Sequence, residues 1–272
     1  AISVDFTSRI SQNIDELRRV LGISELVPMS AGTDIKIYKI SKKNSPAQVG
    51  EGEDINLTEI ERKLVRTITL DLNKYRKNTT AEAIQKVGRS IAINQTDEKL
   101  IAEIQKDIKK AFYTALATGT GTATGTTLQV TLANLWAKLQ GYYEDMDVTP
   151  IFFVNPQDVA DYLGTAQITM QTAFGFTYIE NFLGLGTVVV TPQVAAKTVY
   201  GTAQENLNGA YAPVSGDVGQ TFGLTADATG LLGMTHQMKS GNATIDTLVL
   251  SNVGFYPEFA DGIFKETISG ES

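Results

Sequence analysis

Cysteine is absent from this chain of 272 residues, and histidine occurs once, at His236. Without thiols there is no disulfide scaffold, no zinc ribbon and no cysteine nucleophile. A lone imidazole removes most histidine-based catalysis and every multi-histidine metal site. Long uninterrupted apolar runs are also missing, so no membrane-spanning helix is expected. What is present is a hydrophobic content of 42%, too high for a disordered chain. The length suits one large domain or two modest ones with a real core. This composition weighs against an enzyme and predicts no cofactor, metal or catalytic residue.

Charge is also scarce in one half. Residues 1–118 carry 19 Lys and Arg against 16 Asp and Glu, whereas residues 119–272 carry 4 against 14. A slightly basic, charge-dense half is followed by an acidic, charge-poor one, which suggests two regions with different surroundings. The net charge of −7 disfavours direct nucleic-acid binding, which rests on clustered Lys and Arg. Opposite signs on the two halves can instead steer one subunit against another. The start, AISVDFTSRI, lacks the basic and apolar regions of a secretory signal. A cytosolic product that lost its initiator Met, or one trimmed by a protease, is expected.

Residues 8–21 predict an amphipathic helix, with Ile10, Ile14, Leu17 and Leu21 on one face and Gly22 as its stop. It can dock on its own domain or on a neighbour. Ile35 and Ile37 alternate with Lys36 and Tyr38, and Leu64, Arg66, Ile68, Leu70 and Leu72 alternate with Val65, Thr67, Thr69 and Asp71. These are strand signatures. About twenty residues rich in charge and turn formers separate them, a length that is usually functional or disordered. Such a charged two-stranded ribbon buries little by itself and needs a further surface to lie on. A second chain is the preferred surface. The inter-subunit contact residues expected on these grounds are Ile10, Ile14, Leu17, Ile35, Ile37, Glu51, Glu53, Ile68 and Leu70. The two glutamates stand on the acidic loop, where they could meet a basic neighbour.

Helices are predicted over 80–93 and 96–117, the second with Thr96 as N-cap and Asp97 and Glu98 in its first turn. The segment TGTGTATGTT (118–127) reads as a linker or domain boundary. A helix over 131–144, buried strands at 151–154, 187–191 and 197–201, and closing strands at 246–256 and 262–268 follow. The mixture has no regular βαβ rhythm, so the expected class is α+β. No catalytic motif emerges. The Gly/Thr segment lacks the Lys-Ser/Thr of a phosphate loop, and Gly184 and Gly186 are followed by Val189 where a dinucleotide fingerprint needs glycine. Asp227, Ser240 and Asp246 are near His236 only in sequence. Glu144, Asp145 and Asp147 lack the ligand spacing of a calcium loop.

The order of these elements resembles the major capsid proteins of tailed bacteriophages, with the Hong Kong 97-type capsid fold. The resemblance is carried by VGEGEDINLTEIERKLVRTITLDLNKYRKNTTAEAI (49–84), the 96–117 helix, IFFVNPQDVADYL (151–163), FLGLGTVVVTPQV (182–194) and the closing GIFKETI. It implies an N-terminal arm (1–31), an extended β-hairpin loop (32–77), a peripheral domain with a spine helix (78–124), an axial domain (125–245), and C-terminal strands (246–272) returning to the core. It implies a structural protein that self-assembles into pentamers and hexamers of an icosahedral shell, enclosing double-stranded DNA without sequence-specific binding. Portal and scaffolding proteins are implied partners, with the virion as location and the host cytoplasm as the place of assembly. Some members of that family join subunits through Lys–Asn isopeptide bonds, but nothing near Lys42, Lys43 and Asn44 singles out a partner, so no cross-link is expected. The alternatives are an encapsulin-like cargo shell or, from another class, a small-ligand-binding α/β enzyme.

Overall fold

In the computed structural model, which describes residues 2–23, 25–42, 52, 60–144, 146–164, 169–173 and 176–269, the chain begins with helix α1 (Ile2–Leu21). Phe6, Ile10, Ile14, Leu17 and Leu21 recur every three or four residues on one face, and all are buried. A short strand β1 (Leu26–Pro28) leads to the ribbon, β2 (Asp34–Lys42) and β3 (Ile60–Thr69), paired antiparallel with Ile35 opposite Ile68. The ribbon ends at Thr69. Residues 73–77, grouped with it on sequence, belong instead to β4 (Asn73–Thr80), a strand of another sheet.

Helix α2 (Ala81–Val87) starts from Thr80, whose hydroxyl accepts from the Ala83 amide at 3.3 Å. Gly88, at φ +86°, turns the chain into α3 (Arg89–Leu116), a single helix of 28 residues and about 42 Å. The expected boundary at Thr96 is not there. The Thr96 hydroxyl bonds back to the carbonyls of Ala92 (3.1 Å) and Ile93 (2.8 Å), so it sits inside the helix rather than capping one.

The Gly/Thr segment is not a linker. Residues 120–125 form β5 (Thr120–Gly125), parallel to the last strand. A Cβ at position 121 would overlap the Lys265 carbonyl, so glycine here serves close strand approach, which reads from sequence as flexibility. Helix α4 (Leu128–Tyr142) is capped by Thr127. Strand β6 (Pro150–Val154) passes through Asn155, whose side chain accepts from the Gln157 amide at 2.8 Å, into α5 (Pro156–Leu163). Then come β7 (Gln171–Ala173), β8 (Phe176–Phe182), β9 (Gly186–Val190), β10 (Thr198–Ala203), β11 (Leu207–Tyr211), α6 (Asp217–Phe222) and β12 (Thr225–Ala226). Strands β13 (Leu232–Lys239), β14 (Thr244–Ser251), β15 (Val253–Pro257) and β16 (Phe264–Ile268) close the described chain.

Besides the ribbon, the described residues form three sheets. Seven strands run in the order β5-β16-β10-β6-β9-β8-β7, four in the order β12-β13-β14-β4, and three in the order β1-β11-β15. Strand β6 is fully buried because its two faces feed different cores. Ile151 and Phe153 join α1, α3 and the four-stranded sheet, while Phe152 and Val154 join the leucines of α4. That is why IFFV reads as an unbroken apolar run. Phe112, Tyr113 and Phe153 meet edge to face, with ring centroids 5.3–5.8 Å apart. The architecture is α+β, as expected.

Candidate assembly surface

The ribbon has a bolted base and a bare outer half. At the base, Ile35, Ile37 and Leu70 are buried and Ile68 is half-buried; Ile35, Leu70 and Ile68 pack with Met29 against Ala210 and Tyr256. Backbone and side-chain bonds hold this end. Asn252 Nδ2 donates to the Leu70 carbonyl (3.2 Å), the Leu70 amide donates to Thr33 (3.1 Å), and Arg66 Nη1 donates to the Thr114 carbonyl at the end of α3 (2.8 Å). Tyr38 is also attached, through its amide to the Glu258 carbonyl (3.4 Å). Beyond it the ribbon carries on for about 13 Å to Lys42, at roughly 3.3 Å per residue.

From the level of Tyr38 outward the ribbon exposes apolar side chains, Leu64 standing opposite Tyr38 and Val65 in the bulge beside it. Ile60 is 61% exposed, Leu64 47% and Val65 45%, interleaved with Glu61, Arg62 and Lys63. The Arg62 guanidinium lies over the Tyr38 ring at 4.3 Å. Strands β2 and β3 pair with each other and, among the described residues, only the Tyr38–Phe259 bridge adds to that ladder, so both long edges are open.

These positions correct part of the expected contact set. Ile10, Ile14 and Leu17 lie at 0–1% exposure in the chain's own main core, so the helix docks at home and leaves no apolar area at these positions for a neighbour. Ile35, Ile37 and Leu70 are likewise consumed within the chain, and Ile68 mostly so. Glu51 and Glu53 lie outside the described residues. Ile60, Leu64 and Val65 are exposed apolar positions that the expected contact set does not contain. The signal was available: a β3 that is apolar at 60, 64 and 65 and charged at 61–63 has no buried phase of its own.

The candidates for chemistry are dispersed. Among the described residues no group of three His, Asp or Glu is placed to hold a metal ion. Asp227 accepts from the Thr229 and Leu232 amides in its own turn, and Asp246 pairs with Arg76 and Lys239. His236 Nδ1 lies 2.8 Å from the Thr247 hydroxyl, and burial lowers its pKa from the ordinary value. Two buried charge pairs remain. Lys77 bonds Asp97, Thr96 Oγ1 (2.6 Å) and the Ile93 carbonyl (3.2 Å), and burial pushes its ammonium below the usual lysine range against the pull of Asp97. Glu266, fully buried on the α4 side of β16, has Lys138 Nζ at 2.7 Å. Both pairs tie a helix to a sheet, which is a structural use. No helix among the described residues is long and apolar enough to cross a membrane.

No protein-family model and no curated protein matches the chain. Solved structures do. The virus-like particle from Pyrococcus furiosus is 12% identical with a TM-score of 0.55, covering 96% of this chain and 97% of that one. The capsid of an empty GTA particle is 11% identical with a TM-score of 0.60, covering 93% and 89%. The holo-SrpI encapsulin of Synechococcus elongatus PCC 7942 is 12% identical with a TM-score of 0.55, covering 92% and 86%. With near-complete coverage in both directions, the ribbon, the long helix α3 and the mixed sheets of this chain together constitute the Hong Kong 97-type capsid fold.

Proposed function

We propose that this chain is a shell subunit, the major capsid protein of a tailed-phage-like particle, which self-assembles into pentamers and hexamers of an icosahedral wall around double-stranded DNA. The observation that carries the reading is the ribbon, with Ile60 exposed at its outer end and Leu64 and Val65 exposed where the fixed base stops near Tyr38. Burying what remains exposed of each on a second copy contributes about 1 kcal/mol per residue. Each copy offers a ribbon and receives one, so the contact is heterologous and closes into rings. The function is assembly rather than turnover. The net charge of −7 suits a wall that contains DNA without gripping it. Portal and scaffolding proteins would be partners during assembly in the host cytoplasm, and the finished site would be the virion.

Electron microscopy of the purified chain tests this. Rings or closed icosahedral particles are expected; a monodisperse monomer at every concentration and salt would defeat it. A second reading is favoured by the encapsulin likeness: the same wall around a protein cargo. Nuclease-protected DNA inside particles isolated from the source supports the first reading, and a co-purifying enclosed protein supports the second.

A further inference from the structure

The four-stranded sheet carries a row of polar side chains on the face that packs against α1 at β13 and against α3 at β4. His236 on β13 stands opposite Thr247 on β14, and Thr247 stands opposite Lys77 on β4. Directly paired residues share a face, and Lys77 shows which face this is, because its ammonium reaches Asp97, Thr96 and the Ile93 carbonyl on α3. At about 4.8 Å per strand, His236 and Lys77 are roughly 10 Å apart at the backbone. Asp97 and Thr247 are buried, and Lys77 leaves 11% of its side chain exposed.

The imidazole is satisfied on one side only. Nδ1 meets the Thr247 hydroxyl, while Nε2 is buried with no hydrogen-bond partner. A neutral ring tolerates this with a bare lone pair at Nε2. A protonated ring has an N–H at both nitrogens, and the one at Nε2 then points into the packed interface with nothing to accept it. The charges facing the ring are unfavourable as a set. Asp97 on α3 favours the imidazolium, whereas Lys77 on β4 and Arg89 on α3 oppose it, and desolvation opposes it most. The single carboxylate is already committed to Lys77.

We propose that His236, Lys77 and Asp97 form an acid-sensitive latch that holds the four-stranded sheet against the first turns of α3 while the ring is neutral and releases it when the ring takes a proton. The sign follows from linkage. In the closed arrangement the ring binds its proton more weakly than when open to water, where its pKa is near 6.5. Opening is therefore favoured as pH falls from about 6.5 through the closed-state pKa, and the effect saturates below it. The latch governs how firmly the spine helix is seated, so it can respond to acid whether the subunit is free or assembled.

The lone histidine makes the test clean. Deuterium exchange at the imidazole C2 position, read by mass spectrometry on the full chain across pH 4–8, reports the titration of His236 alone. Backbone exchange of peptides covering 89–104 and 232–239, corrected for the intrinsic pH dependence, is read in the same samples. The expected result is an imidazole midpoint below 6.5 with at least a tenfold loss of backbone protection through that midpoint. His236→Gln abolishes the backbone step. Lys77→Gln removes a competing cation and raises the imidazole midpoint. A midpoint at or above 6.5, unchanged protection across it, or a step that persists in H236Q overturns the latch. Where H236Q does not fold, coincidence of the two curves in the unaltered chain decides the matter.

Discussion

Phe152 and Phe153, adjacent in β6, lie in different hydrophobic cores. Phe153 stacks edge to face with Phe112 at 5.6 Å, under α3 and α1, whereas Phe152 packs beneath α4 with Leu132, Leu135 and Leu139. One strand therefore couples the long-helix side of the subunit to the α4 side. Phe152→Ala and Phe153→Ala should each cost about 3–5 kcal/mol. Urea unfolding followed by far-UV circular dichroism checks this. Loss of α4 protection in hydrogen exchange is expected for F152A, and loss of α1 protection for F153A.

The ribbon lets folding and the proposed assembly be tested separately. Leu64→Asp and Val65→Asp replace side chains that face solvent in the single chain, so stability should stay within about 0.5 kcal/mol of the parent. Particle formation should be lost. Ile37→Asp, at 0% exposure, should instead lower the unfolding midpoint of the subunit itself. Thermal melts beside sedimentation velocity distinguish the two behaviours; closed particles from the L64D/V65D double variant would refute the division.

Glu266 and Lys138 form an ion pair in which one partner has no access to water. Its carboxylate sits among the apolar side chains beneath α4, and Lys138 is 37% exposed. Lys138→Met strands a buried charge, and removing one partner of such a pair is far more harmful than removing both. Calorimetry should show a lower Tm for K138M and recovery of most of it in K138M/E266L. Equal melting of the single and double variants would show that the pair carries no coupling.

Gly121→Ala should fail to restore the close approach of β5 to β16, since the new methyl overlaps the Lys265 carbonyl. A drop of several degrees in Tm, with protection lost first in 120–125 and 264–268, is the expected outcome. A true linker would tolerate alanine without change.

The legible parts of this fold were those where one force dominates. The face of α1, the run IFFV and the last strand follow from apolar period and stand where sequence placed them, whereas the strand expected over 246–256 is divided at Asn252 into β14 and β15, which belong to different sheets. The failures share a different cause, namely tertiary contact overriding a local signal. Thr96 has the right chemistry for an N-cap, yet α3 runs through it because Asp97 is needed against Lys77 from another element. Gly121 looks flexible until β16 is laid beside it. Ile10, Ile14 and Leu17 could as well have met a neighbour as their own core, since an amphipathic stripe states that a surface is buried and not by what. The outer ribbon was half-legible: its need for a partner follows from its charge and thinness, but the dividing point near Tyr38 depends on Glu258, which is 220 residues away in sequence.

Strand β16 lies between β5 and β10, inside the seven-stranded sheet rather than at its rim. A nascent chain emerging from the ribosome thus has a gap in that sheet until residue 268 is available, and β5 waits more than 140 residues for β16, its one strand neighbour among the described residues. Translation consequently imposes a delay on the subunit. Until then the facing edges of β5 and β10 stay unpaired, and such edges are where partly folded chains stick to one another.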